Sequence, residues 1–245
     1  MRNGYAQPAW DETVDFLVVG SGAAGMAGAL TASTRGLSVL VVEKESQYGG
    51  TTALSGGVMW IPNNTPMRSA GLEDSPEAAL TYLQHNIGNR VGRAKLETFV
   101  DAAPKMLDLL RSRGFLEVEV FEGFPDYRPE TPGSVQQGRS VEPRVFAGRR
   151  LGQELAYLRR RAALAPGGLV GTMSELRRMA AIRSNPAIFV RALPALLRNL
   201  WNKLSGASHL ATGGALVAWL RHGMQSLNIP LWLNSPLREL VLEDG

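Results

Sequence analysis

A chain of 245 residues that is 44% hydrophobic and 20% charged has the make-up of an ordinary globular protein, with room for one large or two small domains. It has no cysteine, which excludes disulfides, thiolate zinc sites and a cysteinyl flavin link, and its three histidines (His85, His209, His222) show no metal-ligand spacing. The net charge of +4 is uneven: residues 144–203 hold 12 of the 26 Lys and Arg with only Glu154 and Glu175 against them, a local charge of +10.

Met1 to Glu12 reads as a polar arm without the basic-then-apolar pattern of a secretory leader, and no apolar run reaches the ~18–20 residues that cross a bilayer. A cytoplasmic location is the expectation. Val14–Val19 predicts a buried strand, Gly20-Ser21-Gly22-Ala23-Ala24-Gly25 a tight turn, and the small residues to about Gly36 a helix; Val39–Val42 is a second strand ending at Glu43. G-x-G-x-x-G between a strand and a helix has a mechanism. Gly20 permits the turn, Gly22 lets backbone approach a pyrophosphate, and Gly25 brings helix and strand together. The helix start then offers N–H groups and a positive dipole end to phosphates. Glu43 stands 18 residues after Gly25, where a carboxylate accepts the ribose hydroxyls of an unphosphorylated FAD or NAD.

A second cluster, Gly49-Gly50-Thr51-Thr52-Ala53-Leu54-Ser55-Gly56-Gly57, separates the two cofactors. A nicotinamide domain has no need of it. A flavin needs bare backbone beneath its ring, which Gly49, Gly50, Gly56 and Gly57 allow, with Thr51, Thr52 and Ser55 as small donors and acceptors. Ser75-Pro76 starts a helix bearing Ala79, Leu80, Leu83 and Ile87, and a second runs from about Arg93 to Arg113 with Phe99, Ala103, Met106, Leu107 and Leu110 on one face and a kink at Pro104. Phe115–Phe121 reads as a strand. The proline- and glycine-rich loop after it carries Pro125-Asp126-Tyr127.

Leu151–Arg161 predicts a short helix, Ala165–Gly168 a break, and Met173–Arg183 a further segment. Pro186–Leu204 is amphipathic: Phe189, Leu193, Leu196, Leu197, Leu200 and Leu204 share a face opposite Arg191 and Arg198, with Trp201 at its edge. Two readings stand for it. It is a second-domain helix with a solvated basic face, or it rests on an anionic membrane, giving peripheral contact with the inner membrane face. No recognition motif accompanies the charge, so nucleic-acid binding is not expected. Thr212-Gly213-Gly214 opens another helix, Ile229–Leu233 and Pro236–Leu242 read as strands, and 243–245 as a hairpin turn.

V-V-G-S-G-A-A-G-M, V-V-E-K and Y-G-G-T-T-A-L-S-G-G-V-M-W-I-P-N-N resemble the FAD-binding half of the fumarate-reductase-type flavoproteins, and W-I-P-N-N, P-D-Y-x-P-E and G-R-S-V-E-P resemble the 3-ketosteroid dehydrogenases. The resemblance implies an α/β fold: a Rossmann-like FAD-binding domain with a parallel sheet over 13–70 and 206–245, and part of an inserted, mostly helical α+β substrate domain over 71–205. It extends the cofactor contacts to Lys44 and, at a loose T-P-L-like match, to Leu237. It implies that Tyr127 lines the steroid pocket and assists a proton-abstracting tyrosine. A phenol titrating near pH ~10 needs such a partner to act as a base; from composition alone Tyr127 reads as a loop tyrosine bonded to backbone. The implied activity is FAD-dependent 3-ketosteroid Δ1-dehydrogenation, with the Δ4(5α) reaction and a fumarate-type reductase as rivals, and an inactive FAD-binding subunit as the reading from another class. The resemblance covers about half of a family member. The abstracting tyrosine and the groups on the 3-carbonyl are therefore expected beyond Gly245 or on a second chain; the electron acceptor is left open.

Overall fold

The computed structural model describes residues 10–160, 169–182, 188–206 and 208–242. Most of the N-terminal arm, the break at 165–168, the Pro186 start of the amphipathic stretch and the turn at 243–245 lie outside the described residues.

β1 (Phe16–Val19) leads through a glycine turn into α1 (Ala23–Ser33), and β2 (Val39–Val42) returns parallel to β1, Phe16 opposite Val39 and Val19 opposite Val42. The expected buried strand from Val14 is corrected twice. β1 begins at Phe16, and only Val18 is buried, Leu17 and Val19 being about half exposed (47% and 54%). Side chains alternate along a strand. Val18 faces α1, its Cγ1 3.0 Å from a Cβ built on Gly25, while the face bearing Leu17 and Val19 is open.

β3 (Met59–Trp60) precedes α2 (Thr65–Ser69), capped by Asn64, whose side-chain oxygen accepts from Met67 N at 2.8 Å. α3 (Pro76–Ile87) starts at the Ser75 cap, with Ser75 Oγ accepting from Ala78 N. Its buried residues are Ala79 and Tyr82, so the inner face is turned from the expected leucines toward a tyrosine. α4 (Arg93–Ser112) contains Pro104 and buries Leu96, Val100, Ala103, Leu107 and Leu110; Phe99 lies outside that seam and stacks on Trp60. β4 (Val118–Val120) and β5 (Ser140–Pro143) join β3 in an antiparallel sheet with β5 in the middle.

β6 (Phe146–Ala147) follows. The helix expected over Leu151–Arg161 is instead a 3-10 segment, Gly148–Tyr157, interrupted at Gly152 where φ is 59°. That left-handed residue stops an α-helical ladder from propagating. α5 (Met173–Ala181) opens on a capping box of Thr172 and Glu175. α6 (Phe189–Ser205) follows, and β7 (His209–Leu210) pairs with β6.

α6 does not pack by its bulky apolar face. The residues it buries are Ala192, Ala195 and Asn199, while Phe189, Leu193, Leu197, Leu200, Trp201 and Leu204 all face outward. Small and polar groups dock it. Asn199 accepts from Val170 N and donates to Val170 O, and Arg198 forks onto Glu175 at 3.0 and 2.6 Å.

α7 (Thr212–Ser226) packs between α1 and the second glycine cluster, and β8 (Leu231–Trp232) adds to the far edge of β2, giving a parallel sheet of order β1-β2-β8. Met26, Leu30, Val41, Leu107, Val217, Leu220 and Met224 form one continuous core beneath it, each buried side chain of this size being worth about 1.5–3 kcal/mol. The strand expected over Pro236–Leu242 does not form. Extended backbone needs a neighbour for its N–H and C=O groups, and 236–242 pairs with no strand among the described residues; Leu237, Leu240 and Leu242 are 45, 75 and 87% exposed.

Candidate dinucleotide site

Two loops of nearly bare backbone meet at the C-terminal ends of β1 and β2, where an open parallel sheet receives ligands. Gly20 N continues the ladder onto Val42 O at 2.8 Å, then the chain turns at Gly20 with φ of 99°. The N–H of Ala23 donates to Thr52 Oγ1 at 3.1 Å, so the second loop caps the first helix. The N–H groups of Gly22, Ala24 and Gly25 have no acceptor among the described residues. Unpaired N–H groups at a helix start favour an anion such as a pyrophosphate.

The glycines divide by what surrounds them. A Cβ on Gly25 would stand 2.2 Å from Gly20 O, and one on Gly57 2.5 Å from Thr212 C. A Cβ on Gly49 would meet Ala53 and Val217 at 2.9 and 3.0 Å. Gly49 and Gly57, expected beneath a flavin, thus turn their Cβ directions into the protein. A Cβ on Gly20, Gly50 or Gly56 meets nothing within 4 Å, and these three border the open space a dinucleotide would fill. Gly213 is the glycine that sequence reasoning missed: its Cβ would lie 1.9 Å from Thr52 O, and its N–H donates to Ser55 O at 3.1 Å. The signal was its place at a helix start, in Thr212-Gly213-Gly214.

Glu43 sits at the junction, 6% exposed. Its Oε2 accepts from Ser21 N at 3.0 Å and from Ser21 Oγ at 2.5 Å, and its Oε1 from Glu45 N at 3.1 Å. Ser21 Oγ in turn accepts from Gly49 N at 2.9 Å. One chain of hydrogen bonds therefore runs from carboxylate to first loop to second loop. Burial alone would raise the Glu43 carboxyl, but the hydrogen bonds from the Ser21 hydroxyl and from the N–H groups of Glu45, Ser21 and Lys44 win and hold it below the usual range. Thr51 is exposed, Ser55 Oγ donates to Thr52 O and accepts from Gly57 N, and Lys44 projects outward beside Glu45. Leu237 stands two residues after Ser235, whose N–H donates to Glu43 O at 2.8 Å, so the tail passes beside Glu43.

A cleft of about 630 Å³ joins the second loop to the β4–β5 loop and the start of α5. Ser55, Gly56, Gly57 and Val58 form one wall; Phe121, Phe124, Tyr127, Met173 and Arg177 form the other. Tyr127 is 85% exposed, its ring edge-on to Phe124, which stacks on Phe121 at 4.4 Å. The preceding residue, Asp126, is buried and fixes the loop: Arg139 Nη1 donates to it at 2.8 Å, Trp60 Nε1 at 2.7 Å and Val135 N at 3.0 Å. Arg139 also forks onto Asp74 at 2.9 and 2.6 Å. Arg177 lies over the Phe121 ring. No cluster of three metal-ligating side chains occurs among the described residues.

Fold and site together define a dinucleotide-binding α/β flavoprotein module. Residues 15–245 match the family model "FAD binding domain", and the chain belongs to that family; its cofactor is FAD. It is 41% identical over 231 residues to the 3-oxosteroid 1-dehydrogenase of Mycolicibacterium smegmatis, covering 94% of this chain and 41% of that protein. It is 31% identical over 236 residues to the 4-oxocyclohex-2-ene-1-carboxylate 5-dehydrogenase of Sinomonas cyclohexanicum, covering 94% and 39%. The crystal structure of the 3-ketosteroid delta1-dehydrogenase from Sterolibacterium denitrificans in complex with 1,4-androstadiene-3,17-dione superposes with a TM-score of 0.85 at 36% identity, covering 95% of this chain and 42% of that one. The chain thus spans about two fifths of the length of the relatives it matches.

Proposed function

We propose that this chain carries the FAD grip and one wall of the substrate pocket of a 3-oxosteroid 1-dehydrogenase. The observation that carries the reading is the cleft shared by Gly56, Gly57 and Tyr127. Its volume of about 630 Å³ falls in the range of small-molecule sites, and its walls are mainly aromatic and apolar. The names of the relatives share a cyclic ketone, and the steroids are the bulky, apolar members of that class. Bound FAD would supply the hydride acceptor of the dehydrogenation.

The protein's own part is binding, orientation and proton handling. Gly22, Ala24 and Gly25 would offer their N–H groups to the pyrophosphate of FAD, and Glu43 would accept from its ribose. Gly20, Gly50 and Gly56 leave room for backbone contact, with Thr51, Thr52, Ser55, Gly49 and Gly57 shaping the loop and Lys44 and Leu237 bordering its adenosine end. Tyr127, on a loop fixed by its buried neighbour Asp126, lines the cleft, and in the complete enzyme its phenol donates a hydrogen bond to the group that removes the proton beside the ketone. That group, and those on the 3-carbonyl, belong to the polypeptide that completes the pocket, in continuation of this chain or on a second one.

Arg177 favours a second reading. A reductase of unsaturated acids needs an arginine at the flavin, and Arg177 lines this cleft. The test is dye reduction by the FAD-loaded complete enzyme with androst-4-ene-3,17-dione, beside fumarate reduction with a reduced dye. Steroid-dependent reduction that falls at least about tenfold in Tyr127→Phe, with flavin content unchanged, is expected. Fumarate turnover without steroid turnover moves the assignment to the second reading.

A further inference from the structure

We infer that Glu142 is a positioning residue for the cleft beside Tyr127: from β5 it grips the first turn of α5 and so fixes the wall that Met173 and Arg177 present to a substrate. The inference rests on the reading of that cleft as the ketosteroid pocket. Glu142 lies in the Gly138–Pro143 stretch and is 1% exposed. Its Oε2 accepts from Met173 N at 2.6 Å and its Oε1 from Ser174 N at 3.0 Å. It forms no ion pair among the described residues. Burying a carboxylate without a cation is costly. Burial pushes the Glu142 carboxyl above its usual range, against the pull of Ser174 and the Met173 N–H, and Glu119, opposite it on β4, adds to the rise. The charge therefore does not serve stability, and its use lies in what it holds.

α5 does not need Glu142 in order to start. Thr172 Oγ1 accepts from Glu175 N at 3.3 Å and Glu175 Oε2 accepts from Thr172 N at 3.0 Å, so the helix is capped from within its own chain. Glu142 instead decides where the helix sits. It reaches across 31 and 32 positions of sequence to the first two N–H groups of α5, where a carboxylate makes short, directional, charge-assisted bonds. Two weaker ties lie beside it. Glu122 N donates to Ser174 Oγ at 3.1 Å, and Arg177 donates to Glu122 O at 3.3 Å while lying over the Phe121 ring. Met173 joins anchor to wall, because its N–H is on Glu142 and the same residue lines the cleft. A shift of this turn widens the cleft opposite Gly56 and Gly57 but leaves Asp126, which fixes the Tyr127 loop, in place. Substrate binding should therefore respond more than the chemical step.

Glu142→Gln, made in the complete FAD-loaded enzyme, keeps the shape but sets an NH2 group against one of the two N–H donors. The KM for androst-4-ene-3,17-dione should rise about fivefold, with kcat within about twofold and flavin content unchanged. Met173→Ala should raise KM as well, and the double variant should exceed the larger single effect by less than about twofold, because both changes act on one wall. Hydrogen exchange, which needs no turnover, should quicken about tenfold or more over residues 173–177 in Glu142→Gln and stay unchanged in α4. Ser174→Ala, which leaves the carboxylate in place, should move both readouts the same way by about twofold. Unchanged exchange over 173–177 overturns the inference. So do KM effects of Glu142→Gln and Met173→Ala that multiply independently, or a fall in kcat with KM unchanged. A parent enzyme without steroid turnover refutes the ketosteroid reading instead, and the exchange result then decides whether Glu142 holds the wall.

Discussion

Arg139→Leu tests whether the loop that presents Tyr127 is held by buried electrostatics. The guanidinium is fully buried and makes two hydrogen bonds to Asp74 and one to Asp126, with its carbon 5.5 and 5.7 Å from the ring centroids of Trp60 and Tyr82. Asp74 also accepts from Asn63 N and Ser75 N, so it ties the start of α3 to the same centre. Removing the cation leaves two carboxylates, each about 1% exposed, without their counter-charge. Breaking a buried ion pair from one side costs about 3–5 kcal/mol. For a chain of this size, each kcal/mol moves the midpoint about 2–4 °C, so the expected fall is about 6–20 °C. Thermal unfolding by circular dichroism at neutral pH, without cofactor, measures it. Adding Asp74→Asn and Asp126→Asn to Arg139→Leu should recover part of the loss, because the uncompensated charges go. A fall under about 2 °C, or no recovery in the triple variant, would refute the reasoning.

Three further outcomes follow from the site. Glu43→Gln is less stable than the parent at neutral pH. The folded carboxyl titrates below its ordinary value of 4.5, so its stabilisation is present above that value and lost as pH falls through the lower folded one; the deficit should shrink in denaturation at acid pH, and a constant deficit would contradict it. Gly56→Ala meets open space without a left-handed backbone, so stability should stay within about 0.5 kcal/mol while FAD affinity drops about tenfold or more by fluorescence titration. Gly25→Ala forces a methyl to 2.2 Å from Gly20 O and should cost about 1–3 kcal/mol or more by urea titration, whether or not FAD is present.

What could be read from the residues in advance was local. β1, the glycine turn, α1 and β2 are adjacent in the chain, and period and glycine spacing suffice to find them. The Glu43–Ser21–Gly49 relay and the Arg139 centre bring together residues from 13 to 65 positions apart, for which no periodicity exists. α6 shows the limit most clearly: its period reveals two faces but not which one the protein claims, and the polar contacts of Asn199 and Arg198 decide that. The missing strand at 236–242 failed for a related reason, since strand propensity is expressed only beside a partner.

Gly213 lies against Thr52 and Ser55 backbone, bracing a loop some 160 residues earlier in the chain. Closing so long a span is entropically late. A nascent chain can therefore form its first strands and turn early, yet it lacks the brace for its flavin loop until α7 has been synthesised and docked. The braced form of that loop thus depends on a helix made long after it.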